Sequence, residues 1–532
     1  MTTRESAVTF HSGINFIPVP VIVRDSKGQP VDNLIVDDFQ LTDNGKPQMI
    51  SRFSIERLTK QFAPPNKTAP AAASLDPDGI PTRFVAYFFD DIHMQLPDLA
   101  YTREAVRRRV DSENDPQERI AIYTTSGSPM QDFTSDKTKL HTALSAINLT
   151  SEGALASMVE TSCPPMSYYM ADLIYNRRDM HAYGLAAMDA KNCGRPYGSY
   201  EELISRARQA VQNGDILTRA SLDSIGNAVA RLASMPGERI AVVISPGFLV
   251  LDGLSDQQAG LVDRAIRASV VINAIDSRGV FTAGAAQAAD PGHDSSKIRQ
   301  QLQYSRMEAF TLSDSLASLA DSTGGALYQG SNDMNDGIAR TSAAPDIMYV
   351  LSFSPLDLKT DGKLHHLNVT LKSSRGRNLQ FRKSYFAPQA ATDPAERAKQ
   401  EIEDAFFSRD EVHDLPAALE TQFFKTPNGD ATISAVAKLD VKTLSFRREN
   451  DRNLDNLTIV TGLFDADGNF MSGVQKLVEL RLRDSTIQSR LASGLGVKET
   501  FAVHTGKYIV RMVARDSEGG LLTSQSALVE IP

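Results

Sequence analysis

Arg83-Phe-Val-Ala-Tyr-Phe-Phe-Asp-Asp-Ile-His-Met94 is an unbroken apolar run that ends abruptly in two carboxylates. Apolar side chains in succession, without polar alternation, fit a parallel strand covered by helices on both faces. Phe84 to Phe89 has the length and the β-rich composition for it. In open α/β sheets ligands sit beyond the C-terminal ends of the strands. Asp90 and Asp91 therefore mark the first place to look for function, as candidate metal or ligand contacts.

Downstream of this strand, helical and strand patterns alternate. Leu96 to Asp111 reads as an amphipathic helix, Arg119 to Thr125 as a second apolar strand, and Lys137 to Ile147 as a further helix. The pattern resumes with a helix over Ile216 to Ala233, a buried strand over Glu238 to Ser245, a helix over Asp256 to Ala268 and a strand over Ser269 to Ile275. A last helix, Ser313 to Ser322, stops at Gly324-Gly325 before the short strand Ala326-Leu-Tyr-Gln329. Such an order predicts a mostly parallel, doubly wound sheet with right-handed crossovers over residues 81–344.

On either side of this α/β unit the period changes to two. Val19, Val21 and Val23 alternate, Leu34 to Leu41 continues, and Asp43-Asn-Gly45 is a hairpin signal, so residues 13–58 read as antiparallel strands after a polar tail at 1–12. Residues 59–80, with Pro64, Pro65, Pro70 and Pro77, read as a linker. Alternation returns over 345–389, at Ile347, Tyr349, Leu351 and Phe353 and again at Leu367, Val369 and Leu371. Neither β segment alone has enough strands to bury two faces, so the expectation is one β-sandwich interrupted by the α/β unit. A Glu-, Lys- and Ala-rich helical linker at 390–413 and a C-terminal β-sandwich at 414–532 complete the chain.

Composition narrows the function classes. The 532 residues leave room for about three or four domains. A hydrophobic content of 41% and a charged content of 23% are those of ordinary globular protein. A formal net charge of −9 argues against nucleic acid or an anionic membrane as main partner, since both require a basic surface. No stretch is long and apolar enough to span a membrane, and Met1-Thr-Thr-Arg-Glu5 is not a leader, so the protein is cytosolic or a targeting segment has been trimmed. The two cysteines, Cys163 and Cys193, bracket a Tyr-rich stretch that reads as irregular. They form a disulfide worth about 3–4 kcal/mol in an oxidising compartment, or are two unrelated buried thiols.

Val21-Ile-Val-Arg-Asp-Ser-Lys-Gly-Gln-Pro-Val31 with Asp38-Phe39, Ala274-Ile-Asp-Ser-Arg-Gly279, Ala320-Asp-Ser-Thr-Gly-Gly325, Tyr349-Val-Leu-Ser-Phe-Ser-Pro355 and Tyr385-Phe-Ala-Pro388 resemble the von Willebrand factor A (VWA) related proteins of Acidobacteria. The resemblance covers roughly Ile14 to Pro388 and excludes the C-terminal sandwich. It implies a VWA-like α/β domain inserted in a β-sandwich and an exported, extracytoplasmic protein. It also implies that the Cys-bounded insert at 148–215 lies between the second and third helices of that domain, at the Asp90 edge of the sheet. The wider VWA fold holds Mg²⁺ through Asp-x-Ser-x-Ser, with a Thr and an Asp from other loops, a hard-oxygen site suited to octahedral coordination. In this chain Asp90 matches the first Asp, but Ile92 and Met94 stand where hydroxyls belong, and Ser245-Pro-Gly247 replaces the expected Asp-Gly. The expectation is a degenerate site without metal, with a metal-dependent adhesin binding Mg²⁺ or Ca²⁺ at Asp90 as the alternative, and an envelope scaffold as the second alternative.

Other chemistry is weakly supported. His93 beside Asp90 and Asp91 reads as a hydrogen-bonded structural histidine rather than a ligand. His365 and His366 on one strand point to opposite faces. No phosphate loop, nucleophile elbow or dinucleotide fingerprint is present, so neither a catalytic residue nor a cofactor is expected. Arg103, Arg107, Arg108 and Arg109 read as a solvated helix face. Tyr168, Tyr169, Tyr175 and Tyr183 in the insert suit a partner-binding surface, or else pack a loop against its own domain. The reading is a non-catalytic protein-binding module whose partner is a protein.

Overall fold

A computed structural model describes residues 17–25, 30–57, 81–113, 115–148, 166–194, 196–280, 295–343, 347–353, 364–373, 376–386, 394–407, 411–425, 430–440, 443–490 and 494–532. The tail at 1–12, the linker at 59–80 and Cys163, with the expected Cys163–Cys193 pair, lie outside these residues. The molecule is mixed α/β with several sheets, one of them combining parallel and antiparallel strands.

Four strands precede the α/β unit: β1 (Ile17–Asp25), β2 (Phe39–Asp43), β3 (Lys46–Gln48) and β4 (Ile50–Arg57). Within the unit, β5 (Arg83–Phe89), β6 (Glu118–Thr124), β7 (Gln131–Thr134), β8 (Glu238–Ser245), β9 (Val270–Asp276) and β10 (Leu327–Tyr328) form one sheet, ordered β10-β9-β8-β5-β6-β7. All run parallel except β7, which is antiparallel to β6 and was not legible as a strand.

The seven residues of β5 are all buried because both faces are covered. Phe84, Ala86 and Phe88 face α5 (Tyr200–Ala233), α6 (Asp252–Arg267) and α7 (Ser295–Thr323). Val85, Tyr87 and Phe89 face α1 (Leu96–Ser112), α2 (Lys137–Ala146) and α8 (Met334–Ser342). Each buried Phe contributes about 1.5–3 kcal/mol to the unit.

The Cys-bounded stretch is not irregular. It contains α3 (Tyr168–Tyr175) and α4 (Met180–Asn192), started by Ser167 and Asp179, whose side chains accept the first free backbone N–H groups. The following helix also begins earlier than its apolar period suggests. Ser199 accepts from the Glu202 N–H at 3.2 Å, and Glu202 accepts from the Gly198 N–H at 2.6 Å, so α5 runs for 34 residues from Tyr200.

After the α/β unit come β11 (Ile347–Phe353), β12 (Leu364–Leu371), β13 (Arg377–Phe381) and β14 (Ser384–Phe386). They pair with the N-terminal strands in two sheets, β13-β1-β11-β4 and β14-β12-β2-β3. Val19, Val21, Leu41, Tyr349, Leu351 and Val369 share the core between them. Next, α9 (Pro394–Phe407) is not a free linker, because Ile402, Ala405 and Phe406 are buried against Phe464 and Val513. The remaining strands are β15 (Ala417–Lys425), β16 (Ala431–Leu439), β17 (Arg447–Glu449), β18 (Arg452–Asp465), β19 (Phe470–Leu482), β20 (Leu495–Val503), β21 (Gly506–Asp516) and β22 (Leu522–Ile531), with a short α10 (Asp484–Arg490). They form a β15-β16-β20 sheet over a larger β17-β18-β21-β22 sheet to which β19 is added.

Both β units touch the α/β unit at the N-terminal edge of its sheet. Arg119 pairs with Asp467 at 2.8 Å and donates to the Ala466 carbonyl at 2.9 Å, while Gln380 donates to the Gly324 carbonyl at 3.1 Å. At the same edge Glu118 accepts from Arg83 and Arg109, each at 2.8 Å. The opposite edge, where Asp90 stands, carries the insert helices instead.

Candidate functional site

Asp90 follows the last residue of the central strand and is fully buried. The neighbours of β5 in the sheet are β6 and β8, so the residues at the C-terminal ends of those strands flank Asp90. Thr125 Oγ1 donates to Asp90 Oδ1 at 2.9 Å, and Ser245 Oγ donates to Oδ2 at 2.6 Å. From above, Ser221 Oγ on α5 donates to Oδ1 at 3.0 Å. The chain then turns, with the N–H groups of His93 and Met94 donating to the Asp90 carbonyl, which brings His93 back onto its own carboxylate. His93 Nδ1 lies 3.0 Å from both Asp90 oxygens, and its ring packs on Phe248 at 6.1 Å between centroids.

Burial raises the Asp90 carboxyl, but the charge and hydrogen bond of His93, with those of Ser245 and Thr125, outweigh it and hold the group below the ordinary range. Asp91 behaves differently. Burial pushes its carboxyl up against the pull of Ser126, which donates through Oγ at 2.5 Å and through N–H at 3.0 Å, and the Asp90 charge adds to the rise. The two acids are thus each engaged by their own donors and do not converge on a common point.

The fit of this site to a divalent ion is poor. His93 Nδ1 already meets both Asp90 oxygens, and Ile92 and Met94, which stand where hydroxyl ligands would be needed, are buried apolar side chains. Among the described residues no group of three or more His, Cys, Asp or Glu could hold a metal.

Beside Asp90, between its turn, the insert and α7, lies a cavity of about 520 Å³. Its walls include His93, Tyr168, Phe248, Leu312, Tyr304 and Asp189. Two glycines make this geometry possible. At Gly214 on α5 a Cβ would fall 2.2 Å from Tyr168 Cγ, so only glycine lets that ring seat against the helix. At Gly247, with φ of +90°, a Cβ would fall 2.3 Å from the Leu312 carbonyl oxygen, so only glycine lets the loop after β8 pass α7.

The four insert tyrosines do not share one surface. Tyr168 is half-buried, lines the cavity and donates its hydroxyl to Asp215. Tyr169 is buried in a local core with Leu173, Leu203 and Leu249. Tyr183 is half-buried and meets the Tyr200 ring in a tilted contact at 5.1 Å between centroids, and Tyr175 is exposed at the end of α3. The arginines also divide. Arg107 and Arg108 pair with Glu104 on the surface, whereas Arg109 reaches the buried Glu118 and Arg103 donates to the Ile147 carbonyl at 3.1 Å. His365 and His366 part as their strand requires: His365 Nδ1 lies 2.9 Å from Asp43 while His366 is exposed.

No protein-family model and no curated protein matches the sequence. Among solved structures, an aerotolerance-related membrane protein from Bacteroides fragilis and the conserved hypothetical protein BatB from Bacteroides thetaiotaomicron each align with 49% of this chain and 96% of their own, at 11% identity. Their TM-scores are 0.25 and 0.21, a weak likeness in fold. No helix among the described residues is long and apolar enough to cross a membrane.

Proposed function

We propose that this chain is an exported, non-catalytic protein-binding module with a VWA-like domain, and that it binds through the Asp90 edge of its central sheet without a metal ion. The observation that carries the reading is the cavity of about 520 Å³ at that edge, roofed by the insert helices and facing away from both β units. Ligands of open α/β sheets sit at this edge. The internal His93–Asp90 pair supports metal independence, since a side chain of the protein supplies the counter-charge that a divalent ion would otherwise bring.

The wiring of the polar groups supports a non-catalytic role. Ser221, His93 and Asp90 are the residue types of a hydrolytic triad, yet Ser221 Oγ lies 3.3 Å from His93 Nδ1, the same nitrogen that meets Asp90. A triad needs the acid on one ring nitrogen and the nucleophile on the other, and Ser221 is fully buried besides. Export and the VWA relation rest on the sequence resemblance. The test is capture of a partner by the full chain in EDTA, compared with a variant in which Ser305 at the cavity wall is replaced by Trp.

A further inference from the structure

Resting on that reading, we propose that the cavity beside Asp90 receives a basic side chain of the partner, an Arg or Lys, between aromatic rings and carboxylates. Two wall residues carry the argument. Asp98 stands in the first turn of α1 and Asp189 near the end of α4, both half-buried, and neither carboxylate makes a hydrogen bond or ion pair with any described residue. Burial pushes both carboxyls up, with nothing opposing it at Asp189 and only the Arg278 charge opposing it at Asp98. A carboxylate taken partly out of water without a partner carries an uncompensated cost, and a cationic group entering the cavity removes it.

Arg278, the one arginine on the wall among the described residues, does not cancel this charge. Arg278 is committed to Asp276 at 2.7 Å, to Ser313 Oγ at 2.7 Å and to the Ala309 carbonyl at 3.1 Å. His93 is committed to Asp90.

The aromatic residues complete the specificity. Tyr168 and Tyr304 come from different helices, and their hydroxyls are tied to Asp215 and Asp179, the latter at 3.1 Å. Those bonds hold both tyrosines at the cavity wall, and aromatic rings there suit a cationic group and the alkyl stem of Arg or Lys. An anionic ligand meets neither condition.

Calorimetric titration of the full chain with Nα-acetyl-arginine methylamide, Nα-acetyl-lysine methylamide and the neutral Nα-acetyl-citrulline methylamide tests this. The expected result is at least tenfold tighter binding of one basic probe than of the neutral one. That preference falls at least tenfold in Asp98→Asn/Asp189→Asn, with an unchanged melting temperature, and weakens with added salt. Equal binding of the three probes, absence of binding by both basic probes, or an unchanged preference in the double variant overturns the inference. Ser305→Trp separates it from the broader reading: a neutral probe that binds and is displaced by Ser305→Trp leaves the cavity as the binding site while refuting its preference for a cation.

Discussion

Replacing His93 with Ala removes the counter-charge of a fully buried carboxylate and leaves Asp90 with three hydroxyl donors, Thr125, Ser221 and Ser245. Breaking a buried pair by removing one partner costs about 3–5 kcal/mol, because the remaining charge is uncompensated. At about 2–4 °C per kcal/mol for a unit of this size, the melting temperature of the α/β unit should fall by roughly 10 °C. Because the Asp90 carboxyl is held below its ordinary value, its contribution is present above the unfolded value and is lost as pH falls through the folded one. The deficit of His93→Ala is therefore greatest where the Asp90 carboxylate and the His93 ring are both charged, and it shrinks as acid protonates the carboxylate. His93→Gln, which can donate a hydrogen bond but carries no charge, should lose an intermediate amount. Scanning calorimetry of the three proteins at pH 7 and pH 3.5 makes the comparison. A loss of under about 1 kcal/mol in His93→Ala at pH 7 would refute the assignment of His93 as the internal counter-charge.

Adding 10 mM Mg²⁺ or Ca²⁺ should leave the wild-type α/β transition unmoved, whereas a bound ion at 100 times its dissociation constant would add about 2.7 kcal/mol, so a clear metal-dependent rise lost in Asp90→Ala would contradict the metal-independent reading. Glu118→Ala should destabilise by about 3–5 kcal/mol in urea unfolding at pH 8, because Arg83 and Arg109 each donate to that buried carboxylate at 2.8 Å; a loss below 1 kcal/mol would show that water reaches this edge. In the C-terminal unit, burial and the neighbouring Asp516 push the Asp455 carboxyl up to about 8. A folded value above the unfolded one, about 3.9, means that its contribution is complete below pH 4 and is lost as pH rises through 8, so the melting temperature should decline across that window and Asp455→Asn should flatten the decline. An unchanged slope in Asp455→Asn would remove Asp455 as its source.

The central strand was legible because burial on both faces leaves no polar position in Phe84 to Phe89, and an apolar run of that length admits few other readings. Asp90 could be read as a candidate for the same reason, as the first polar residue after the run. Its donors could not. Thr125, Ser221 and Ser245 lie 35, 131 and 155 residues away and meet only because β6 and β8 flank β5 and α5 crosses above them. A faint signal lies in the hydroxyl residues Thr125 and Ser245 at the C-terminal ends of the second and third apolar strands. The insert helices are hard to read because the apolar residues of α3 and α4 face a local core rather than the central sheet, although Ser167 and Asp179 stand at their starts as capping residues. Arg109 was grouped with its neighbours on a solvated face because spacing along a helix does not reveal an acid buried on the adjacent strand.

The most direct test of the account is partner capture from the envelope fraction of the source cell by immobilised full chain in EDTA, read by quantitative mass spectrometry against Ser305→Trp of unchanged melting temperature. A partner enriched by the wild-type chain without divalent ions and lost with Ser305→Trp is the predicted result. The same partner retained by Ser305→Trp, or captured only when Mg²⁺ is restored, would contradict metal-independent binding at the Asp90 edge.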